Sequence, residues 1–371
     1  MPAVETLAFE VIHTSKKSRA RVCKIHTPHG VIDTPNFVAV GTNGTLKAVD
    51  NSIVNEIGLQ LMFCNTYHLM LQPGTEVVKN AGGLHKFINR PYPIITDSGG
   101  FQVFSLAYGG VANELKGRGT KKTDGSVLKI TEEGVVFRSY RDGSKVFLTP
   151  ESSVLAQKDL GADIIIPFDE LPPYHIAKDK LVESLHRTHR WEKRSLDTHL
   201  ENPRGQAMYA VVHGGIDREL REISINYLKD LPFDGFAIGG SVGKNKQEMF
   251  ELLSYTTENL PKDRPNHLLG IGDLPSIDFS IPLGIDTFDS SYPTKAARHG
   301  ILFTENGPLN ITKAIYAKDY SPFSEDFSFA YLHHLFKANE ITGMTLATIH
   351  NLKYMVRLME RYRERILNND L

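Results

Sequence analysis

Short apolar runs that end in small or polar residues recur along the chain at 36–42, 61–68, 93–100, 162–169, 208–214, 235–241, 267–273 and 285–289. Runs of this kind mark strands covered on both faces, as in a parallel sheet. Helical patterns lie between several of them, most clearly at 181–200 and 218–231. Strands and helices in this alternation predict an α/β fold, a (β/α)8 TIM barrel. A doubly wound open sheet is the competing arrangement.

The third and fourth runs are unusually far apart. Within the gap, 127–148 alternates apolar and polar residues around Asp142-Gly143, a hairpin pattern. A β insertion after strand 3, over about 107–148, is therefore expected beside the barrel mouth. After the eighth run a polar stretch, 316–325, leads into two helical patterns at 326–339 and 348–367. They predict a C-terminal helical subdomain over about 306–371, with the barrel over about 30–305. The whole chain, 1–371, reads as a single domain, and no repeat period is visible.

Composition narrows the function. The chain is 41% hydrophobic and 23% charged, a globular balance. A net charge of −1 supplies no global basic field, so contact with nucleic acid would need a local cationic patch. Two cysteines, Cys23 and Cys64, cannot build a disulfide framework or a thiolate-rich zinc site, and they fit a reducing compartment. Residues 1–12 lack the apolar core of a signal peptide, and no run approaches the ~20 residues of a membrane span. A cytoplasmic protein without membrane contact is expected.

In a TIM barrel the chemistry sits at the C-terminal ends of the strands. The predicted ends carry Asn65, His68, Asp97, Asp169, His213, Gly240, Asp273 and Asp289. Asp289 is followed by Pro293-Thr294 and by the cations Lys295 and Arg298, which suit an anionic partner. Asp97 is followed by Ser98-Gly99-Gly100-Phe101, where glycines let a planar ligand approach the backbone and an aromatic ring can stack on it. Two carboxylates at one mouth suit covalent glycosyl transfer, one as nucleophile and one passing protons. The plainer reading of each is a strand-end cap or a buried ion-pair partner.

Asp169 could accept two N–H bonds from a purine-like edge, or cap a helix. His213 could donate to a carbonyl, or be a satisfied core histidine. Gly239-Gly240 opens a loop that is not a P-loop, because Lys244 is followed by Asn245. His333, His334 and His350 have no thiolate near them and do not read as a metal site. Arg357, Arg361 and Arg365 form a basic stripe that is either solvated or an RNA contact.

Taken together, Asp97-Ser98-Gly99-Gly100-Phe101-Gln102, Gly239-Gly240, Leu269-Gly270-Ile271-Gly272, Asp289 before Pro293-Thr294, and 330–335 resemble the tRNA-guanine transglycosylase (queuine tRNA-ribosyltransferase) family, from about residue 9 to 366. The resemblance implies a barrel with a C-terminal subdomain. Asp289 matches the nucleophile, which attacks the ribose of the wobble guanosine in tRNAs with a GUN anticodon. Asp97 matches the acid/base that deprotonates the incoming 7-deazaguanine. Asp97, Ser98, Gly99, Gly100, Phe101, Asp169, His213 and Gly240 match the base pocket. Gly270, Ile271, Gly272, Asp273, Leu274, Pro275 and Ser276, with Thr294, Lys295, Ala296, Ala297 and Arg298, match tRNA-contacting segments. A homodimer is implied.

Three departures from the family pattern stand out. The three cysteines of the family's structural zinc fall on Asp319, Ser321 and Ser324, leaving only His350. No structural zinc and no other cofactor is expected, because two neutral hydroxyls make a poor zinc shell. A pocket glutamine is replaced by His213. The loop after Gly240 is one residue shorter, with Lys244 in place of an acid. A lysine there would disfavour the cation of 7-aminomethyl-7-deazaguanine, so either the bulkier queuine is the base, toward which the expectation tilts, or the loop is rearranged. Two other function classes compete: a non-catalytic tRNA-binding subunit, and a barrel glycoside hydrolase. Retention of Asp97, Asp169 and Asp289 argues against the first. A single tryptophan, Trp191, and the cations beside Asp289 argue against the second.

Overall fold

The computed structural model describes residues 7–108 and 127–371. The chain begins with an antiparallel sheet of β1 (Ala8–Thr14), β2 (Arg21–Thr27) and β3 (Gly30–Thr34). Sequence patterning did not predict it, since β1 is largely exposed and shows no clean alternation. The sheet closes the N-terminal end of the barrel. There Arg21 forms a bidentate pair with Asp286, at 3.0 and 2.7 Å.

The first three predicted runs become β4 (Asn36–Val40), β5 (Met62–Cys64) and β6 (Ile94–Thr96). The insertion supplies β7 (Val127–Ile130), β8 (Val135–Arg138) and β9 (Lys145–Leu148). The remaining runs become β10 (Ile164–Ile165), β11 (Ala207–Val212), β12 (Gly235–Ile238), β13 (Asn266–Leu268) and β14 (Thr287–Ser290). The barrel order is β4-β5-β6-β10-β11-β12-β13-β14, all parallel, and β14 pairs back onto β4. That closure rules out the open sheet.

Inside the barrel, Val38, Leu61, Phe63, Ile95, Tyr209 and Val211 belong to one buried cluster. Each such side chain contributes roughly 1.5–3 kcal/mol on burial. The insertion strands form their own antiparallel sheet, and Phe137 and Leu148 pack with Phe168 and Trp191. Residues 109–126, part of the expected insertion, lie outside the described residues.

Two helices, Phe329–Lys337 and Ile341–Leu367, end the chain. Ser328 caps the first by accepting from the Tyr331 amide. The second starts seven residues before its expected position of 348. Gly343 sits in its first turns, where a Cβ would come within 2.9 Å of Leu335. Close helix packing stabilises a stretch whose own helix propensity is weak. Farther along, Leu352, Met355, Met359, Tyr362 and Ile366 recur every three or four residues and face the barrel core.

Candidate active site

Asp97 leaves the end of β6 and is almost fully buried. Its Oδ1 accepts from the Thr66 amide at 2.7 Å. Its Oδ2 accepts from Asn65 Nδ2 at 2.8 Å and from Gln102 Nε2 at 2.7 Å. Gln102 reaches back because the chain after Gly99 turns at once into a helix, Gly100–Tyr108. Burial pushes the Asp97 carboxyl up to about 6, against the pull of its three N–H donors, and the charge of Asp289 adds to the rise. A carboxylate so placed can take up and release a proton near neutrality.

Asp289, on β14, is also buried. Gly270 N donates to its Oδ1 at 2.7 Å, and His267 Nε2 lies 3.1 Å from the same oxygen. Among the described residues nothing binds Oδ2, so one oxygen of the carboxylate is anchored and the other is not.

The space beside Asp97 is shaped by an opened seam. β10 pairs with β11 only at Ile164–Ala207 and Ile165–Met208. Beyond that point a helix, Lys178–Glu201, replaces the ladder. Ser195 Oγ accepts from Phe168 N at 3.1 Å, Glu192 Oε1 from Val211 N at 2.8 Å, and Thr188 Oγ1 from Glu170 N at 3.1 Å. Residues 188, 192 and 195 share one helix face, so a single element satisfies both edges of the gap. Asp169 and His213 stand on its two sides, with His213 Nε2 at 2.8 Å from Asp169 Oδ2. Ser98 Oγ donates to the other oxygen of Asp169 at 3.1 Å. Gly100 must be glycine, since a Cβ would sit 2.8 Å from the Asp169 carbonyl oxygen. Phe101 is 50% exposed, large for a phenylalanine with no other evident role.

Gly240 lies beside His213 at φ +73°, and a Cβ there would come within 3.0 Å of His213 Nδ1. Arg221 sets this loop. It is fully buried, meets no carboxylate among the described residues, and donates to the carbonyls of Val212, Gly215, Gly239 and Ser241. Burial pulls its guanidinium down to about 9. Sequence reading missed Arg221, Glu192 and His267, because none sits in a motif and each acts through backbone or through another side chain.

With this geometry in place, comparison with known sequences is decisive. The family described as TGT: Queuine tRNA-ribosyltransferase matches residues 15–371. The chain belongs to the queuine tRNA-ribosyltransferase family. It is 72% identical to the queuine tRNA-ribosyltransferase of Protochlamydia amoebophila (strain UWE25), over 96% of this chain and 95% of the relative. It is 58% identical to that of Chlamydia caviae, over 98% of this chain and all of the relative. It is 54% identical to that of Chlamydia trachomatis serovar L2, over 98% of this chain and 99% of the relative.

The tRNA segments suggested by the family resemblance are not uniformly available. Thr294, Ala296 and Ala297 are buried, leaving Lys295 exposed and Arg298 half-buried, with Arg298 donating to the Thr294 carbonyl at 3.0 Å. In the other segment Gly270 and Pro275 are exposed, Ile271 and Leu274 pack on the core, and Gly272 and Ser276 are buried. Asp273 caps the helix Leu274–Ser280 and pairs with Lys246 at 2.6 Å. On the last helix Arg361 pairs with Glu305 at 2.9 Å.

The residues in place of the family's zinc ligands do not fit zinc. Asp319 Oδ1 accepts from the amide of Ser321, and His350 Nε2 donates to the Phe303 carbonyl at 2.8 Å. Instead His350 packs on Phe323 with centroids 5.2 Å apart, and Phe323 on Phe329 at 5.7 Å. Lys244 is not a free charge either. Its Nζ lies 3.2 Å from Glu248, which also accepts from Tyr174 at 3.0 Å.

A second histidine–carboxylate group lies at the opposite barrel end. His29 and His85 flank Asp163 at 2.7 and 3.0 Å, with their rings stacked 3.5 Å apart at 10°. Rings so nearly parallel cannot both point a nitrogen at one tetrahedral ion, and Asp163 already accepts from the Ile94 amide at 2.8 Å. This group is a hydrogen-bonded clamp between the N-terminal sheet and the barrel floor.

Proposed function

We propose that this protein replaces the wobble guanine of tRNAs with a GUN anticodon by a 7-deazaguanine, through a ribosyl ester on Asp289, for queuosine modification. The observation that carries the reading is the contrast between two carboxylates at one mouth. Both are buried, but Asp289 is anchored through a single oxygen, whereas Asp97 is held through both and poised near pH 6.

In the first half, Asp289 Oδ2 attacks C1′ as the C1′–N9 bond breaks. The bonding pair leaves with guanine, which takes a proton from the Asp97 carboxylic acid. In the second half, the Asp97 carboxylate removes the N9 proton of the incoming 7-deazaguanine. The N9 pair bonds to C1′, and the C1′–Oδ2 pair returns to Asp289. Asp169 receives the ring N–H and exocyclic amine of the base in place of Ser98 and His213, while Phe101 stacks on its face.

Queuine is the base we favour. A cavity of about 210 Å³ opens beside His213 and Gly240, lined by Pro172, Tyr174, Leu181 and Ile216, with room for a bulky substituent. The charge of Glu248 is spent on Lys244, which leaves it a weak counter-ion for an aminomethyl group. Lys295 and Arg298 are the cations nearest Asp289 in sequence, and we assign them to the tRNA backbone. A homodimer would cover Ile315, Tyr320 and Ile341, which are 71%, 80% and 71% exposed. We place the reaction in the cytoplasm; among the described residues no helix is long and apolar enough to cross a membrane.

The test is a covalent RNA–protein adduct on a denaturing gel after incubation with a GUN tRNA. It is expected from the wild type and absent from Asp289→Asn. An adduct that survives that substitution overturns the assignment, and a wild type that exchanges no guanine supports the non-catalytic alternative.

A further inference from the structure

The nucleophile is held by a side chain that no motif singled out. His267 lies on β13, is fully buried, and stacks on Phe63 with centroids 6.1 Å apart. Its Nδ1 is 2.8 Å from Thr287 Oγ1, and its Nε2 is 3.1 Å from Asp289 Oδ1. The Thr287 hydroxyl has one proton, and its other acceptor, the Asn266 carbonyl, is 3.5 Å away. The Asp289 carboxylate can only accept, so Nε2 carries the ring proton and Thr287 donates to Nδ1 of the neutral ring. A neutral ring that accepts at Nδ1 carries its own proton on Nε2, facing Asp289. With Gly270 N on the same oxygen, Oδ1 receives two N–H donors.

We propose that His267, fixed by Thr287, is the positioning residue of the nucleophile and favours breakdown of the ribosyl ester over its formation. The proposal rests on Asp289 as nucleophile. While Oδ2 is bonded to C1′, Oδ1 is an ester carbonyl and a weak acceptor. When the C1′–Oδ2 bond breaks, its electron pair returns and both oxygens share a full negative charge. A hydrogen bond to a charged acceptor is about twice as strong as one to a neutral group, so the two donors to Oδ1 gain strength as the carboxylate leaves. The same donors hold the free carboxylate in one rotamer with Oδ2 outward, which orients the attack without adding basicity to the attacking oxygen. The direction of the effect is specific: an imidazole that served only packing would affect both half-reactions alike.

The test uses the full chain and a GUN tRNA, and follows both half-reactions. His267→Phe keeps a buried ring but removes the donor. Turnover of base exchange is expected to fall about ten- to hundredfold, with KM for tRNA unchanged. The trapped adduct at steady state is expected to rise, because ester breakdown slows more than its formation. His267→Gln, which restores an N–H donor, should recover most of the turnover. Equal slowing of both halves, or turnover in a folded His267→Phe within about threefold of wild type, overturns the proposal. If His267→Phe does not fold, Thr287→Val removes only the hydroxyl that fixes the tautomer. A smaller fall in turnover with more adduct supports the proposal, and no change in either overturns it. Loss of the nucleophile reading would look different, since the adduct would then persist in Asp289→Asn.

Discussion

His213 reaches across the opened seam to Asp169, at 2.8 Å, and so bridges the strand ends that the barrel ladder leaves unpaired. The carboxylate that we assign to base recognition is thus held on one side by an imidazole and on the other by the Ser98 hydroxyl. A base that enters must displace or share both.

His213→Ala should therefore weaken base binding more than catalysis. Displaced from Asp169, His213 is free to donate to a carbonyl of the base, and loss of such a hydrogen bond costs about 0.5–1.5 kcal/mol, so the base KM is expected to rise about two- to tenfold with kcat largely kept. His213→Gln should retain most of the affinity. Steady-state exchange with labelled base, varied in concentration, measures both.

Acid should slow base incorporation through Asp97. Its carboxyl titrates near 6, and the proposed step needs it ionised to take the proton of the incoming base. The value of kcat/KM for the base, which reports this half alone, is therefore full above about pH 7 and falls as pH drops through about 6, whereas guanine release, which needs the acid, slows as pH rises. Asp97→Asn should abolish the acid limb and lower turnover about 10²- to 10⁴-fold. A pH profile of kcat/KM for the base, on both proteins, checks this.

Stability of the C-terminal region should depend on aromatic packing and not on metal. Phe323 lies between His350 and Phe329. Phe323→Ala is expected to lower stability by about 2–3 kcal/mol, somewhat less than for a fully buried ring. Exhaustive dialysis against EDTA should leave the wild-type melting temperature unchanged. A metal-dependent shift would contradict the aromatic account.

The clamp at the barrel floor should show opposite pH limits. The hydrogen bond to Asp163 raises the His29 pKa above 6.5, so that contribution is complete below 6.5 and fades as pH rises through the raised value. The carboxyl of Asp163 is held well below 3.8 by His29 and His85, against burial, so its contribution is present above 3.8 and fades as pH falls through the depressed value. His29 is 40% exposed and solvent-screened, so His29→Ala should cost under about 1 kcal/mol, mainly below neutrality. Asp163→Ala strands two imidazoles and a backbone amide and should cost about 3–5 kcal/mol. Denaturant melts at pH 5.5 and 8.5 separate the two effects.

The barrel was legible because its strands are buried on both faces and their ends are polar, a pattern that survives in a single sequence. Asp97, Asp169, His213 and Asp289 were legible for the same reason, since each follows or ends an apolar run. What stayed hidden acts at a distance along the chain. His267 opens a run whose visible feature is its glycines, and its bond to Asp289 exists only once β13 and β14 are neighbours. Glu192 looks like any charge on a long amphipathic helix, although it is fully buried. The exposed N-terminal sheet carried no periodicity strong enough to read. Ala296 and Ala297 were grouped with Lys295 and Arg298 as a tRNA-contacting segment, but the helix Tyr292–Arg298 turns the one face that carries Pro293, Thr294, Ala296 and Ala297 inward.

The short ladder between β10 and β11 has one more effect. Because Thr188, Glu192 and Ser195 stand in for a strand edge, the width of the slot is set by a helix. A small slide of that helix along its axis would retune the slot for a wider or narrower guest while the two carboxylates to which we assign the chemistry stayed where they are.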